Sequence, residues 1–249
     1  MQNYNLKDKV AVVMGGSGGI GAATSRILAE AGAQVVVVWR NNEAAAAVLL
    51  ESLPGGRHLS VRAAVEDTPS LIALAEQVRS AHGKVDLLVN SAGYTKPVPL
   101  GDLDALDDAL IDHLFQVNWR GQFATIRAFR SLLDASGAGL IVNVSSIAAL
   151  NGVGSNLAYA AVKAGIDTMT KSLARALAPK IRVLSVSPGV VDTDFVPGRG
   201  PEQLAKTAPT IPLQRVATAE DVARAILATA TLLTYSTGSL IVVDGGRAL

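Results

Sequence analysis

The stretch Val10-Ala11-Val12-Val13-Met14-Gly15-Gly16-Ser17-Gly18-Gly19-Ile20-Gly21 decides how this chain folds. An unbroken apolar run stops at a segment with five glycines in seven positions. Apolar residues on consecutive positions read as a strand buried on both faces, as in a parallel sheet covered by helices. Glycine admits positive φ and lets a bulky anion approach the backbone. The helix that opens at Gly19 brings free N–H groups and the positive end of its dipole to the same spot. Strand, glycine turn and helix N-terminus in that order predict a phosphate-cradling turn of a dinucleotide site. Gly15, Ser17, Gly18, Gly19, Ile20 and Gly21 are its candidate residues.

Working outward, the same kind of apolar run recurs. Strands are expected at about Val10–Met14, Gln34–Trp39, Leu59–Ala63, Val85–Asn90, Leu140–Val144, Ile181–Val186 and Leu240–Val243. Helices fill the gaps: Gly19 to about Ala31, one from an N-cap at Thr68 with Pro69 in its first turn, about Asp107–Leu133, about Ala158–Ala178, and one after Thr218. Asp221 stands three residues beyond Thr218, as in a capping box. Strand–helix alternation throughout predicts an α/β fold with a doubly wound parallel sheet of about seven strands. No repeat, linker or composition break divides residues 1–249, so one domain is expected. The exception is about 194–214, where Pro197, Gly198, Gly200, Pro201, Pro209 and Pro212 forbid one regular element. A long irregular segment of this kind often forms a lid or binding loop.

Composition narrows the function classes. Hydrophobic residues make up 49% and charged residues 17%, which gives a large core and excludes disorder as the main state. The net charge is +1 with no basic block, so nucleic acid is not expected as a partner. There is no cysteine, which removes disulfides, thiolate nucleophiles and Cys-ligated zinc; the three histidines show no ligand spacing, and no metal is expected. No apolar stretch approaches the roughly 20 residues of a membrane span, and a cytoplasmic protein is the expectation.

Tyr159-Ala160-Ala161-Val162-Lys163 lies near the start of a predicted helix. Residues four apart share a helix face, so the ammonium is expected beside the phenol, where its charge favours the phenolate. Such a phenol could protonate a carbonyl oxygen or deprotonate an alcohol.

With the glycine turn, this pair makes the chain resemble the short-chain dehydrogenase/reductase family along nearly its whole length. The turn is similar to the family's TGxxxGIG, with Met14 where threonine is usual. Asn90-Ser91-Ala92-Gly93 resembles NNAG, Val117-Asn118 the VN element of the fifth helix, and Pro188-Gly189-Val190-Val191-Asp192-Thr193 PGxVxT. Ser146 stands thirteen positions before Tyr159, as the family's catalytic serine does, and Val243-Asp244-Gly245-Gly246 resembles the C-terminal VDGG.

The resemblance implies a Rossmann-type domain that interconverts a ketone and a secondary alcohol. Tyr159 would be the acid/base; Lys163 would bind the nicotinamide ribose and lower the Tyr159 pKa; Ser146 would bond the substrate oxygen. Asn118 would hold a helix distortion and a proton-relaying water. Asn90, Ala92 and Gly93 would line the adenosine side, and Pro188, Gly189, Val191 and Thr193 would hold the carboxamide. Ala64 stands where an adenine-binding Asp is common, a contact that the backbone at Val65 would replace.

For the cofactor, Trp39 occupies the position whose carboxylate binds the ribose hydroxyls in NAD enzymes. Arg40 follows, suited to a 2′-phosphate, with Asn41 as a neutral donor, so NADP(H) is expected over NAD(H). Glu43 is the nearest acid in sequence. The substrate is expected to be a small carbonyl compound or alcohol. A 3-oxoacyl-acyl-carrier-protein reductase is the alternative, and a non-catalytic dinucleotide sensor a remote one. The helix at Ala158–Ala178 carries more apolar residues, Ile166 and Met169 among them, than one buried stripe needs, which predicts an exposed apolar side and a subunit interface. The family resemblance implies pairing through this helix and the preceding long one, as a homotetramer.

Overall fold

A computed structural model describes residues 5–249. Seven parallel strands form one sheet in the order β3-β2-β1-β4-β5-β6-β7. They are β1 Val10–Met14, β2 Gln34–Trp39, β3 Leu59–Arg62, β4 Leu87–Asn90, β5 Gly139–Val144, β6 Ile181–Pro188 and β7 Leu240–Val243. Nine α-helices flank it among the described residues: α1 Gly19–Glu30, α2 Glu43–Ser52, α3 Thr68–His82, α4 Asp108–Leu114, α5 Gly121–Ala135, α6 Ala148–Asn151, α7 Leu157–Leu177, α8 Pro201–Thr207 and α9 Ala219–Thr231. No helix among them is long and apolar enough to cross a membrane.

The two sides of the sheet explain the unbroken apolar runs. Val12, Met14, Val36, Val38, Leu88 and Ile141 pack into one core cluster. Their chain neighbours Ala11, Val13, Val35, Val37, Leu87 and Leu140 pack into the other. The central strands are covered on both faces, so both faces are largely apolar, and each fully buried aliphatic side chain stabilises the fold by about 1.5–3 kcal/mol. The chain reverses direction across the sheet between β1 and β4, which are hydrogen-bonded neighbours. A cleft opens at the carboxyl ends of strands at such a reversal.

Several expected boundaries shift. β4 starts at Leu87, not Val85, and β6 runs two residues beyond Val186 because Ser187 and Pro188 pair with Val242 and Val243. Asp67, not Thr68, is the N-cap of α3, and Thr68 and Pro69 enter the first turn. The continuous helix expected over Asp107–Leu133 is interrupted by a π-helical stretch, Phe115–Arg120. The expected capping box of α9 is present: Asp221 N–H donates to Thr218 Oγ1 at 3.3 Å, and Thr218 N–H donates to Asp221 at 2.9 Å. The segment 194–214 contains α8 and a 3-10 turn, Ala208–Thr210.

Candidate active site

The glycine turn is built by contact as much as by conformation. Gly15 sits at φ +69 and Gly19 at φ +40. A Cβ on Gly21 would lie 2.1 Å from the Gly15 carbonyl oxygen, so only glycine lets α1 press against the turn. Around Gly18 a Cβ would meet nothing within 4 Å, which leaves its backbone open to a ligand. Without the usual threonine at position 14, the turn is tied by Gly16 N–H to Val38 O at 2.8 Å and by Ser25 Oγ to Gly16 O at 3.3 Å.

Two cavities meet above the carboxyl ends of the strands. The first, about 500 Å³, is lined by Gly15, Gly18, Gly19, Ile20, Arg40, Val65, Ala92 and Gly93. The second, about 650 Å³, holds Ser146, Tyr159, Lys163, Pro188, Gly189, Val191 and Thr193. Ile20, Ser91, Gly93, Thr193 and Phe195 line both, so they are two ends of one cleft. An open glycine turn at one end and the Tyr159–Lys163 pair at the other fit an extended dinucleotide. Among the described residues there is no metal-binding cluster.

Not every expected residue reaches the cleft. Asn41 is exposed and outside the cavity lining. Ser17 and Gly21 support the turn without lining either cavity. Asn90 is buried, and its side chain donates to Asn143 Oδ1 at 2.9 Å, tying β4 to β5. Its neighbour Ser91 lines the cleft instead.

The catalytic end is dry and positive. Asn156 caps α7 by accepting from Tyr159 N–H at 2.7 Å, which fixes where the tyrosine leaves the helix. One turn on, Lys163 Nζ lies 5.4 Å from the Tyr159 ring centroid and donates to Val144 O at 2.9 Å. Burial pushes the Lys163 ammonium down to about 8, against the opposing pull of Asp167. Burial pushes the Tyr159 phenol up to about 12, while the bonded Ser146 hydroxyl and the Arg199 charge pull it back. Lys163, expected to lower this phenol, stands beside its ring, and desolvation is the larger effect at Tyr159.

Asn118 lies in the π-helical stretch, where an extra residue per turn disrupts the α-helical pattern. Its amide donates to Tyr94 O and Leu114 O, both at 2.9 Å, and accepts from Tyr94 N–H at 3.0 Å. This clamps the β4–α4 loop to the distorted helix.

Four residues escaped sequence reasoning. Glu66 lies 2.6 Å from Arg40, bringing an acid to the adenosine end that is nearer in space than Glu43. Its Oε2 is buried without a hydrogen-bond partner. Phe195, Arg199 and Arg247 close over the catalytic end, Phe195 with its ring centroid 6.1 Å from that of Tyr159. Phe195 and Arg199 belong to the irregular segment flagged as a possible lid, which was the available signal; nothing in sequence singled out Glu66 or Arg247.

Comparison with known proteins accords with this geometry. Residues 15–248 match a family model described as enoyl-(acyl carrier protein) reductase. A cis-4-hydroxycyclohexanecarboxylate dehydrogenase from Sinomonas cyclohexanicum is 37% identical, over 96% of each chain. A 3-oxoacyl-[acyl-carrier-protein] reductase from Bos taurus is 36% identical, over 97% of this chain and 99% of that one. The crystal structure of a short-chain dehydrogenase/reductase from Burkholderia xenovorans superposes with a TM-score of 0.91 at 33% identity, covering 96% and 97% of the two chains. Matched almost end to end in sequence and in fold by oxidoreductases, the chain belongs to the short-chain dehydrogenase/reductase family.

Proposed function

We propose that the protein is an NADP(H)-dependent carbonyl reductase in which Tyr159 delivers the proton. The observation that carries this reading is the convergence of Ser146, Tyr159 and Lys163 in one cavity continuous with the glycine turn. A bound dihydronicotinamide would supply the hydride. The remaining chemistry belongs to the chain. Ser146 and Tyr159 bond the substrate oxygen, and Tyr159 passes its proton to that oxygen as negative charge develops. Burial raises the Tyr159 phenol, so it holds at neutral pH the proton that reduction needs. Lys163 would hold the ribose hydroxyls, Asn118 fixes the neighbouring loop, and the Pro188–Thr193 backbone would position the carboxamide.

At the other end, Arg40 takes the 2′-phosphate. The Arg40–Glu66 pair supports a second reading of this end, because the Glu66 carboxylate repels that phosphate and accepts from an unphosphorylated ribose. NAD(H) then remains usable. The named relatives act on a free ring acid and on carrier-bound acyl groups, so both classes belong in any substrate panel.

Assembly as a homotetramer is part of the proposal, through α7 and the long helical stretch before it. Ile166 and Met169 are buried within the chain. Phe115 and Phe123, 41% and 37% exposed, instead form a stripe with Trp119 beside α7. A half-exposed aromatic stripe fits a subunit contact.

The test follows cofactor absorbance with NADPH or NADH over ketones and a 3-oxoacyl thioester. Tyr159→Phe is expected to lower kcat by at least about 100-fold while calorimetric NADPH affinity stays within about threefold. Retained turnover in that variant would refute the proton-donor assignment.

A further inference from the structure

The catalytic end carries more positive charge than the reaction on a neutral ketone needs. Lys163, Arg199 and Arg247 all line the 650 Å³ cavity, and no Asp or Glu does. Lys163 is absorbed by the proposed mechanism; the two arginines are not. Arg199 comes from the 194–214 segment and Arg247 from the turn after β7, so two distant parts of the chain bring their guanidiniums together.

Neither arginine has an acidic partner. Among the described residues, every ion pair at 4.0 Å or less involves other cations. Of the acids three residues away in sequence, Glu202 pairs with Lys206, and Asp244 accepts backbone N–H bonds from Gly246 at 2.9 Å and Ala248 at 2.7 Å. Arg247 is oriented by Thr210, donating to its hydroxyl at 2.8 Å, and Thr210 itself lines the cavity. Burial holds the Arg199 guanidinium below its ordinary value, and the charge of Arg247 adds to this. Two partly desolvated like charges with no counter-ion form an arrangement that an anion stabilises. Guanidinium geometry matches a carboxylate through paired hydrogen bonds. The cavity wall between the arginines and Tyr159 is apolar at Ile147, Phe195 and Val196, which suits a short hydrocarbon skeleton.

We propose that the substrate is a small oxo acid, with its ketone at Ser146 and Tyr159 and its carboxylate held by Arg199 and Arg247. This rests on the carbonyl-reductase reading above. In the reaction the carbonyl carbon gains a hydride from the reduced dinucleotide, the C=O π pair becomes the new O–H bond with the Tyr159 proton, and the carboxylate is unchanged. The product is the corresponding hydroxy acid and the oxidised dinucleotide.

The test compares the series 4-oxopentanoate to 7-oxooctanoate with the methyl ester of each acid. At the best chain length, the acid is expected to exceed its ester in kcat/KM by at least about tenfold, since a charge-assisted hydrogen bond contributes that much or more. Arg199→Gln and Arg247→Gln should each raise KM for the acid by more than they change it for the ester, and the double variant should bring the acid-to-ester ratio of kcat/KM near one. Calorimetric binding of hexanoate, absent for hexanamide and lost in the double variant, checks the site without turnover. Esters matching acids at every length, or a ratio that survives in the double variant, would overturn the proposal. So would a 3-oxoacyl thioester turned over faster than every acid, which would assign the arginines to a carrier arm. Failure of the reductase reading looks different: no ketone is reduced, or Tyr159→Phe keeps activity, whatever hexanoate does.

Discussion

The two ends of the cleft treat arginine in opposite ways. At the adenosine end Arg40 is 2.6 Å from Glu66, and the pair is close to neutral. At the catalytic end Arg199 and Arg247 share a cavity wall with no acid. An unpaired, half-buried guanidinium is a demand for an anion, because its desolvation is uncompensated until one arrives. A paired guanidinium offers less, since any incoming anion must compete with the carboxylate already there. The contrast teaches that the catalytic end should discriminate on charge steeply and the adenosine end mildly.

The sharpest way to break this comparison is at Arg40 and Glu66. Arg40→Ala is expected to weaken calorimetric binding of NADPH and of 2′,5′-ADP by about 10- to 100-fold, with NADH affected less than threefold. Glu66→Gln should do the reverse and tighten NADPH by about three- to tenfold, because it removes a negative charge beside the 2′-phosphate and leaves the guanidinium free. If Glu66→Gln weakens NADPH, the carboxylate is holding Arg40 in its binding pose and the competition argument fails.

A smaller effect separates function from stability at Lys163. Its ammonium is pushed from 10.5 down to about 8 by burial, so at neutral pH the folded state holds a charge it disfavours. At about 1.4 kcal/mol per pH unit the shift corresponds to roughly 3 kcal/mol, from which the donor lost by Val144 O and the counter-charge lost by Asp167 subtract. Lys163→Met is therefore expected to be inactive yet more stable by about 1–2 kcal/mol at pH 7. Between pH 8 and 10.5 the unfolded wild type holds the proton that the folded one has lost, so wild-type stability rises with pH there and the variant's advantage shrinks. Urea midpoints at pH 7 and pH 10 measure it; an advantage independent of pH would rule out the charge as its cause.

Sequence made the central strands legible because burial on both faces writes them as apolar runs, as at Val10–Met14 and Gln34–Trp39. The glycine turn was legible for a steric reason: a Cβ on Gly21 would meet the Gly15 carbonyl oxygen. Tyr159 and Lys163 were legible because four residues make nearly one helical turn. What stayed hidden depended on tertiary contact. Glu66 reaches Arg40 across 26 residues of chain. The pKa order of Tyr159 and Lys163 follows from how dry the pocket is, which spacing does not encode. The π-helical stretch at Phe115–Arg120 was not read from periodicity because it joins two α-helical segments that continue on either side of it.

The smallest effect tests whether pairing is what separates the arginines. Arg215 carries the same side chain as Arg199 but bonds Asp221 at two points, 2.6 and 3.0 Å, on the surface. The guanidinium bonded to Asp221 holds its carboxyl down at about 2, and the capping N–H of Thr218 helps. A depressed carboxyl contributes stability above its unfolded value of 3.8, and loses it as pH falls toward 2. Both side chains are partly exposed, so solvent screening leaves little of that shift as stability. Asp221→Asn is expected to lower Tm at pH 7 by no more than about 2 °C, with the difference fading below pH 3.8 and in high salt. It should leave the preference for oxo acids over their esters unchanged, because Arg215 does not line the catalytic cavity. A rise in that preference in Asp221→Asn, which leaves this face one charge more positive, would show that the charge selectivity comes from the general positive field of this face. It would then not come from the two arginines that lack a partner.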